Sequence, residues 1–556
     1  MDHRGTTFST ELLRELTTAL HDGTRSLFGN ASFLGATFSG DAGFEGATFS
    51  GNAEFHSVTF NSYALFHGAT FNREAGFVQA TFSRTAKFID ATFSGRALFA
   101  LATFSGDAEF SEATFSGDAR FGLAKFTGHA WFNMATFSGD AGFGEAKFGR
   151  FAGFSGARFD ANAGFYGAKF SDKTQFHAVT VDGDAEFYGA TFEDAELLGP
   201  LVCGGELALS GAVFQRPVTI EAAAQRLECV RTQWISTAGL RLRYATVDLT
   251  DAVFEYPVTV LSRRVPCTIN GTPMAEDVLA GLPRTVRMRS LSGVDAAHLV
   301  LTDIDLSVCR FAGTVHLDQL RLEGECPLAQ TPQGVRWRCG LPLRWTVRGT
   351  LLEEHHWRHS SGASGWVAPD GAEALEPAAL APVYRQLRKA FEDGKNEPEA
   401  ADFYYGEMEM RRKNTKRTVP ERALLTLYWA VSGYGLRASR ALAWLLVAML
   451  TTMMLMMLWG VAKDDPKPES KGTVKGQQIA LTTDKPDPVN PDGSLASRVS
   501  TDRFEKSARV VINSVVFRSS GQDLTTAGTY TEMVSRLVEP VLLGLAVLAV
   551  RGRVKR

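Results

Sequence analysis

At 556 residues, with 53 Gly and 39 Phe against only 20 Pro, the chain is too long for one ordinary domain and reads as a repetitive, ordered protein rather than a disordered one. The formal charge of −3 says little about partners until it is split by region, because opposite local charges cancel in the sum. The six cysteines (Cys203, Cys229, Cys267, Cys309, Cys326 and Cys339) are scattered without a Cys-x-x-Cys pair, which does not suggest a disulfide framework or a zinc knuckle and fits a reducing compartment.

The first residues, Met1 to Gly23, carry Asp2 and lack the apolar run of a signal peptide, so export of the first half is not expected. Within residues 1–27 the segment Ser9 to Leu20 places Leu12, Leu13, Leu16 and Leu20 at helical spacing after a Ser/Thr start, and is expected to cap the repeats beyond it.

From Phe33 to Phe192 the aromatic positions form two interleaved series, each spaced by eleven residues without interruption. One runs Phe33, Phe44, Phe55 and onward through Phe110 and Phe121 to Phe187. The other runs Phe38, Phe49, Phe60 and onward through Phe104 and Phe115 to Phe192, with Val181 the one substitution among its fifteen members. Such a period marks an array. The residue two before each Phe is nearly always Ala, Val58 and Thr174 being exceptions, and a period of two puts both on one side of a short strand. Ala and Phe then point inward, and Ser-Gly-Asp or Glu-Gly groups turn the corners, where Gly and Asp tolerate positive φ. An amphipathic helix also repeats every eleven residues. It is rejected here because each interior Gly would cost it about 1 kcal/mol.

The Ala-x-Phe spacing resembles the pentapeptide-repeat family. That resemblance implies a β-solenoid, a right-handed quadrilateral β-helix with the aromatic and small residues inside. The steps here alternate five and six, as in Ala108 to Glu112 and then Ala113 to Asp118, so coils of about 22 residues with two enlarged corners are expected. Regular repeats cover residues 28–200. Degenerate coils cover 201–323, with motifs such as Leu207-Ala208-Leu209, Ala252-Val253-Phe254 and Leu299-Val300-Leu301, and with a short helical excursion near Met274 to Leu282.

From Gly324 to Ala381 no period survives, and 324–381 reads as a linker with local structure. Its run Glu353-Glu354-His355-His356-Trp357-Arg358-His359 would put His355 and His359 on one helix face. A zinc-protease motif needs Glu where His356 stands, so a structural role is expected and no metal or cofactor is assigned. Residues 382–440 read as charged juxtamembrane helices, starting with a pair over Val383 to Lys413 that breaks at Gly394-Lys395-Asn396 and restarts with Pro398 in its first turn; Tyr404, Tyr405, Met408 and Met410 supply packing.

Residues 441–462 hold 22 positions without a charge, enough to span a bilayer core of about 30 Å at 1.5 Å per residue. A second span is expected within 536–556, over Leu537 to Val550, although Glu539 and Pro540 would need protection by protein. Eight Lys or Arg lie between Arg411 and Arg440 (among them Arg411, Arg412, Lys413, Arg437 and Arg440) against one acid, Glu421, and the chain ends with Arg551, Arg553, Lys555 and Arg556. By the positive-inside rule both flanks are cytoplasmic, which puts the repeats in the cytoplasm at the cell membrane and the polar segment 463–502 outside. The flank Arg411 to Arg422 is also suited to anionic lipid.

Gly433-Tyr434-Gly435 echoes a potassium filter core but precedes the first span on the basic side, and reads as a turn. Residues 503–535 are better placed: Ser507 to Phe517 reads as a pore-type helix, followed by a pore-loop-like run with Ser519, Ser520, Gly521 and Asp523. Some bacterial pentapeptide-repeat proteins carry a similar charged segment and a C-terminal two-helix channel-like module, and residues 384–556 resemble a divergent member. Gln522 stands where a filter has its aromatic, and the second filter Gly is absent, so a row of inward carbonyls is not expected.

No phosphate loop, no nucleophile–base motif and no ligand cluster marks an enzyme. Three readings remain. One is a membrane-anchored scaffold whose solenoid binds a protein partner, with oligomers allowed. The second is a channel-like protein regulated by its solenoid. The third, implied by the family resemblance, is a DNA mimic that binds a topoisomerase. Residues 28–200 carry 19 acids and 11 bases, a net of −8, which permits mimicry, but a membrane tether argues against it and against nucleic acid as a partner.

Overall fold

The computed structural model describes all residues except 22, 24, 270, 334, 339–340, 345–346, 368–373, 464–466, 477, 517 and 555–556, and the side chains of all but these and 335–338, 341–344, 474–475 and 552–554. It divides into two units, Met1–Phe403 and Tyr404–Arg556.

The first unit is a β-solenoid of about 13 turns. One coil consists of the strands Thr70–Phe71, Ala75–Gly76, Thr81–Phe82 and Ala86–Lys87, one on each of four sides. Each strand pairs in parallel with its counterpart in the next coil, Thr70 with Thr92, Ala75 with Ala97, Thr81 with Thr103 and Ala86 with Ala108. Paired positions are thus two eleven-residue periods apart. The alternating five- and six-residue steps therefore sum to one coil, as expected.

Inside, Phe44, Phe49, Phe55, Phe60, Phe104, Phe110, Phe115 and Phe121 are all at most 1% exposed. Rings one coil apart stack almost parallel, Phe82 and Phe104 at 4.6 Å and 2°, Phe110 and Phe132 at 5.0 Å and 3°. That separation is the spacing of neighbouring strands, so the backbone ladder itself sets the stack. Adjacent columns meet edge to face, as Phe99 and Phe110 do at 5.3 Å and 86°. Each such pair adds about 0.5–1.5 kcal/mol beyond area burial.

The two corner types differ from expectation. Positive φ falls at every eleventh residue from Gly35 to Gly189, between 55° and 71°, and it includes Leu101, Leu123 and Met134. The Ser-Gly-Asp corners use no positive φ. There Gly serves close approach: a Cβ on Gly106 would lie 2.4 Å from the Arg84 backbone of the coil below.

Beyond Phe214 the coil contracts. Val213 pairs with Gln233 and Gln233 with Val253, so the repeat is shorter by two positions and each of the four sides has an even five. The register then roughly doubles between Val258 and Leu299, because an excursion intervenes. The excursion holds a 3₁₀ turn at Asp277–Leu279, close to where a helical segment was expected. Leu279 packs on Val202 and Ala223, and Glu276 pairs with buried Arg243 at 3.0 Å.

At the N-terminus, helix α1 (Thr10–Ala19) starts at Ser9, whose side chain accepts from Leu12 N–H. Leu13 faces inward at 1% exposure, whereas Leu12 is 43% exposed and takes no part in the cap.

Among residues 324–381, read as a linker with local structure, the described helical residues are packed. Helix α2 (Leu352–Ser360) and helix α3 (Pro377–Asp393) close the last coils. Glu353 accepts from Phe311 N–H at 2.6 Å and from Ala312 N–H at 2.9 Å. Buried Glu354 receives both Arg348 Nη2 bonds, at 2.6 and 2.7 Å, together with Arg358 Nε and the Tyr384 hydroxyl. The two guanidiniums hold the Glu354 carboxyl down at about 2 against the cost of its burial. His355 Nε2 lies 2.8 Å from Thr350 Oγ1 and His359 Nδ1 2.8 Å from the Trp366 carbonyl, so both histidines serve the cap. Among the described residues no His, Cys, Asp or Glu group is placed to hold a metal ion.

Burial lowers His355 from 6.5 to about 4, so the unfolded chain binds its proton first as pH falls. Stability of the cap is therefore expected to be full above about pH 6.5 and to decline towards pH 4, with Glu354 adding a further loss below about 4.5. Amide exchange across α2, followed against pH, checks this. Burial also lowers His356 in the same helix, so His355→Gln should shrink the loss between pH 6.5 and 4 without abolishing it, while leaving the lower one.

The second unit continues from helix α4 (Glu397–Lys413), which begins after the break at Gly394–Asn396, through α5 (Val419–Ser432), α6 (Ala438–Leu455), α7 (Thr501–Val515) and α8 (Thr526–Val554). α6 ends in a π turn at Met456–Gly460. The polar segment between α6 and α7 carries an exposed hairpin, Glu469–Lys475 with Gln478–Asp484; its first positions, including Asp464, lie outside the described residues.

Candidate functional site

Two helices are long and apolar enough to cross a membrane, Ala438–Gly460 and Thr526–Arg551, and 28% and 33% of their apolar windows are buried within the unit. The first agrees with the expected span. The second begins about ten residues earlier than expected, because the polar residues of 526–535 are satisfied inside the unit: Glu532 accepts from Ser520 N–H at 2.8 Å, and Ser535 Oγ bonds back to the Glu532 carbonyl.

The two helices cross at glycine. A Cβ on Gly528 would lie 2.3 Å from the Gly460 carbonyl oxygen, so neither position has room for a side chain. Around this crossing the last carbonyls of α6 are all claimed. Arg503 donates to Met457 at 2.9 and 2.8 Å, to Val461 at 2.8 Å and to Ala462 at 3.2 Å; Arg498 donates to Leu458 at 3.0 Å; Thr525 Oγ1 donates to Trp459 at 2.6 Å. Cations at a helix C-terminus also meet the negative end of its dipole. Sequence reasoning missed this role for Arg498 and Arg503.

Arg503 thus anchors the start of α7 at the Gly460 end of the apolar pair. The other end of α7 lies far from it. Ser514 Oγ donates to Glu539, and Thr452 Oγ1 donates to the same carboxyl at 2.9 Å. Glu539 is fully buried at the middle of the second span. α7 therefore runs inward along the pair for about half its length. The chain then returns to the Gly460 end within the next residues, where Leu524 bridges Val461 and Thr525 N–H donates to Gly460 at 3.0 Å. A helix stands where a pore-type one was expected, but it starts at Thr501, capped by Ser500, rather than at Ser507, and Phe517 lies outside the described residues.

The return segment holds the expected loop residues. Gly521 N–H bonds Ser519 Oγ at 3.4 Å, Ser520 N–H bonds Glu532, and Asp523 pairs with Lys485 at 2.6 Å. Gly521 takes positive φ, at 64°.

The basic flank is less free than its charge count suggests. Arg411 pairs with Glu407 at 2.5 Å, and Arg412 grips Glu409 at 2.8 and 3.1 Å while lying 4.3 Å from the Trp429 ring. Arg440 sits 5.0 Å over the same ring, and Arg437 lies 6.0 Å from Tyr405. Lys413 ends α4, Arg551 is exposed, and the Arg553 side chain lies outside the described residues, as do Lys555 and Arg556. Gly433-Tyr434-Gly435 is the turn between α5 and α6: Gly433 takes φ 55° as the α5 cap, and buried Tyr434 bonds Glu409 at 3.0 Å.

Residues 24–70, 88–133 and 123–169 match the model of pentapeptide repeats, in 9 copies. No curated protein and no solved structure matches the chain. A four-sided parallel solenoid with two apolar C-terminal helices is thus the class of molecule that the fold defines. Its solenoid is built of pentapeptide repeats.

Proposed function

We propose that this protein is anchored in the cell membrane, with its C-terminal unit supplying a re-entrant helix and return loop to an ion path built from several copies, and with its solenoid standing on the cytoplasmic side as a rigid arm for a protein partner. One observation carries the first part: Ser514 at the end of α7 bonds Glu539 halfway along the second apolar helix, while Thr525 is back at the Gly460 end. Non-helical backbone at membrane depth is tolerated only where protein or water covers it. Within one copy Arg518, Ser519 and Gly521 are exposed, and Ser520 and residues 522–524 are only half-buried. Copies packed around the loop would cover it and leave its polar groups around a shared axis. The loop lacks a filter's carbonyl ladder, so potassium selectivity is not part of the reading.

The orientation rests on the basic positions that flank the spans. The scaffold role rests on the solenoid alone, in which no ligand cluster stands among the described residues and whose neighbour-to-neighbour packing makes a stiff presenting surface. A membrane tether disfavours DNA mimicry.

The test uses the full chain in proteoliposomes, with Gln522→Cys introduced. Monovalent-cation flux is expected, and a membrane-impermeant thiol reagent added from the side opposite the solenoid should label that cysteine and block the flux. Absence of both flux and labelling would reduce the C-terminal unit to an anchor and leave the scaffold role as the account of the protein.

A further inference from the structure

The last strand of the solenoid, Arg321–Glu323, is hydrogen-bonded along one side, to Val300–Thr302. No other strand among the described residues pairs with it. In that parallel pairing Asp303 N–H donates to the Glu323 carbonyl, so Arg321 and Glu323 turn their backbone groups towards the preceding coil. The N–H and C=O of Leu322 then point the other way, along an open edge.

Open edges are usually blunted or covered. Here α3 covers the neighbouring turn at Leu317–Gln319, where Lys389 pairs with Asp318 at 2.7 Å, and touches the strand itself at only a few points. Between the strand and the α3–α4 turn lies a cleft of about 870 Å³. That size lies within the common range of binding clefts, about 300–1,000 Å³. Its floor is the edge itself, and the apolar Phe391 and Leu320 lie beneath.

The rim is acidic from both sides. Glu323 and Glu325 come from the solenoid, Asp393 and Glu399 from the helical turn, and Arg321 is the one base that lines the cleft. Glu323, Glu325 and Asp393 are exposed, and the ion pair made by Glu325, to Arg264, is long at 3.9 Å. With Asp318, which also lines the cleft, tied to Lys389, four carboxylates stand against one guanidinium around a backbone edge that offers an N–H and a C=O, which suits one kind of occupant: a basic chain in extended form.

We infer that the Arg321–Glu323 edge is a docking site for a basic, extended peptide segment of a partner protein, which adds to the solenoid as one further strand. Main-chain bonds supply the affinity and the acidic rim selects alternate Lys or Arg side chains. The site belongs to the solenoid unit alone and stands whether or not the other unit conducts ions.

The experiment measures fluorescence anisotropy of a labelled octapeptide of alternating Lys and Val against the full-length protein in nanodiscs. Saturable binding is expected, weakened roughly tenfold or more when alternate amides of the peptide are N-methylated, which keeps its charge but removes its ladder donors. The double variant Glu323→Lys/Glu325→Lys changes two exposed side chains and should weaken binding by a similar factor. Equal binding of the N-methylated peptide would overturn strand addition. Binding untouched by the double variant, or no saturable binding up to about 1 mM, would overturn the site.

Discussion

Phe110→Ala is expected to cost the solenoid about 3–5 kcal/mol, the range for truncating a buried Phe in a core that cannot collapse around the gap. Phe110 is fully buried, stacked on Phe88 at 4.7 Å and Phe132 at 5.0 Å, and edge-on to Phe99 and Phe121 at 5.3 and 5.4 Å. The backbone ladder at fixed register holds the coils above and below, so the cavity stays open. Stability in such an array is close to a sum of nearest-neighbour terms, so the damage should centre on the coils that contact Phe110. Hydrogen exchange on the full-length protein checks this. Amides of residues 97–130 should exchange roughly two to three powers of ten faster, with a smaller change near Phe44 and near Phe187. The same truncation at Phe8, which caps its column and stacks on Phe38 alone, should fray only the first coil. A uniform acceleration across the whole solenoid after Phe110→Ala would mean that it opens as one cooperative block.

The regular coils were legible because one inward pattern repeats with few exceptions: Ala two before Phe, in series of period eleven. The contracted coils were only partly so. In them the outward positions Val213, Gln233 and Val253 share a register but not one residue type, so no repeated residue there announces the shortening of the coil. The corners were half read. Glycine was assigned one task, positive φ, yet Leu101, Leu123 and Met134 take that conformation while Gly106 is small for steric reasons.

The cap was misread as a linker for a related reason. Glu354 finds Arg348 close by in the chain but Tyr384 far along it, and no periodic signal joins such partners. The charge count of the basic flank failed similarly, since Glu407 and Glu409 lie just outside the counted stretch and neutralise Arg411 and Arg412. Only the apolar runs announced the C-terminal unit. The course of α7 depends on bonds from Glu539 to Ser514 and to the distant Thr452, which made Glu539 look like a liability when it is a tie point.

Glu539→Leu is expected to release α7 from the apolar pair, whereas Glu539→Gln should hold it. A Gln side chain can still accept from one hydroxyl and donate to the other, so Ser514 and Thr452 both keep a partner. Leu offers neither. Polar side-chain bonds within membrane helices are worth about 0.6–1.7 kcal/mol each, so losing two should cost roughly 1–3 kcal/mol. Exchange of the α7 amides from Val510 to Val515 should rise about tenfold to a hundredfold in Glu539→Leu and stay near the parent in Glu539→Gln. The helix crossing itself should survive both changes, since it rests on Gly460 against Gly528 and on Arg503 at the carbonyls of Met457, Val461 and Ala462. Flux through the proposed path should follow α7, lost in the Leu variant and retained with Gln. If α7 stays protected in Glu539→Leu, the inner end of the re-entrant helix is held by something other than this carboxyl, and the placement of the return loop at membrane depth loses its main support.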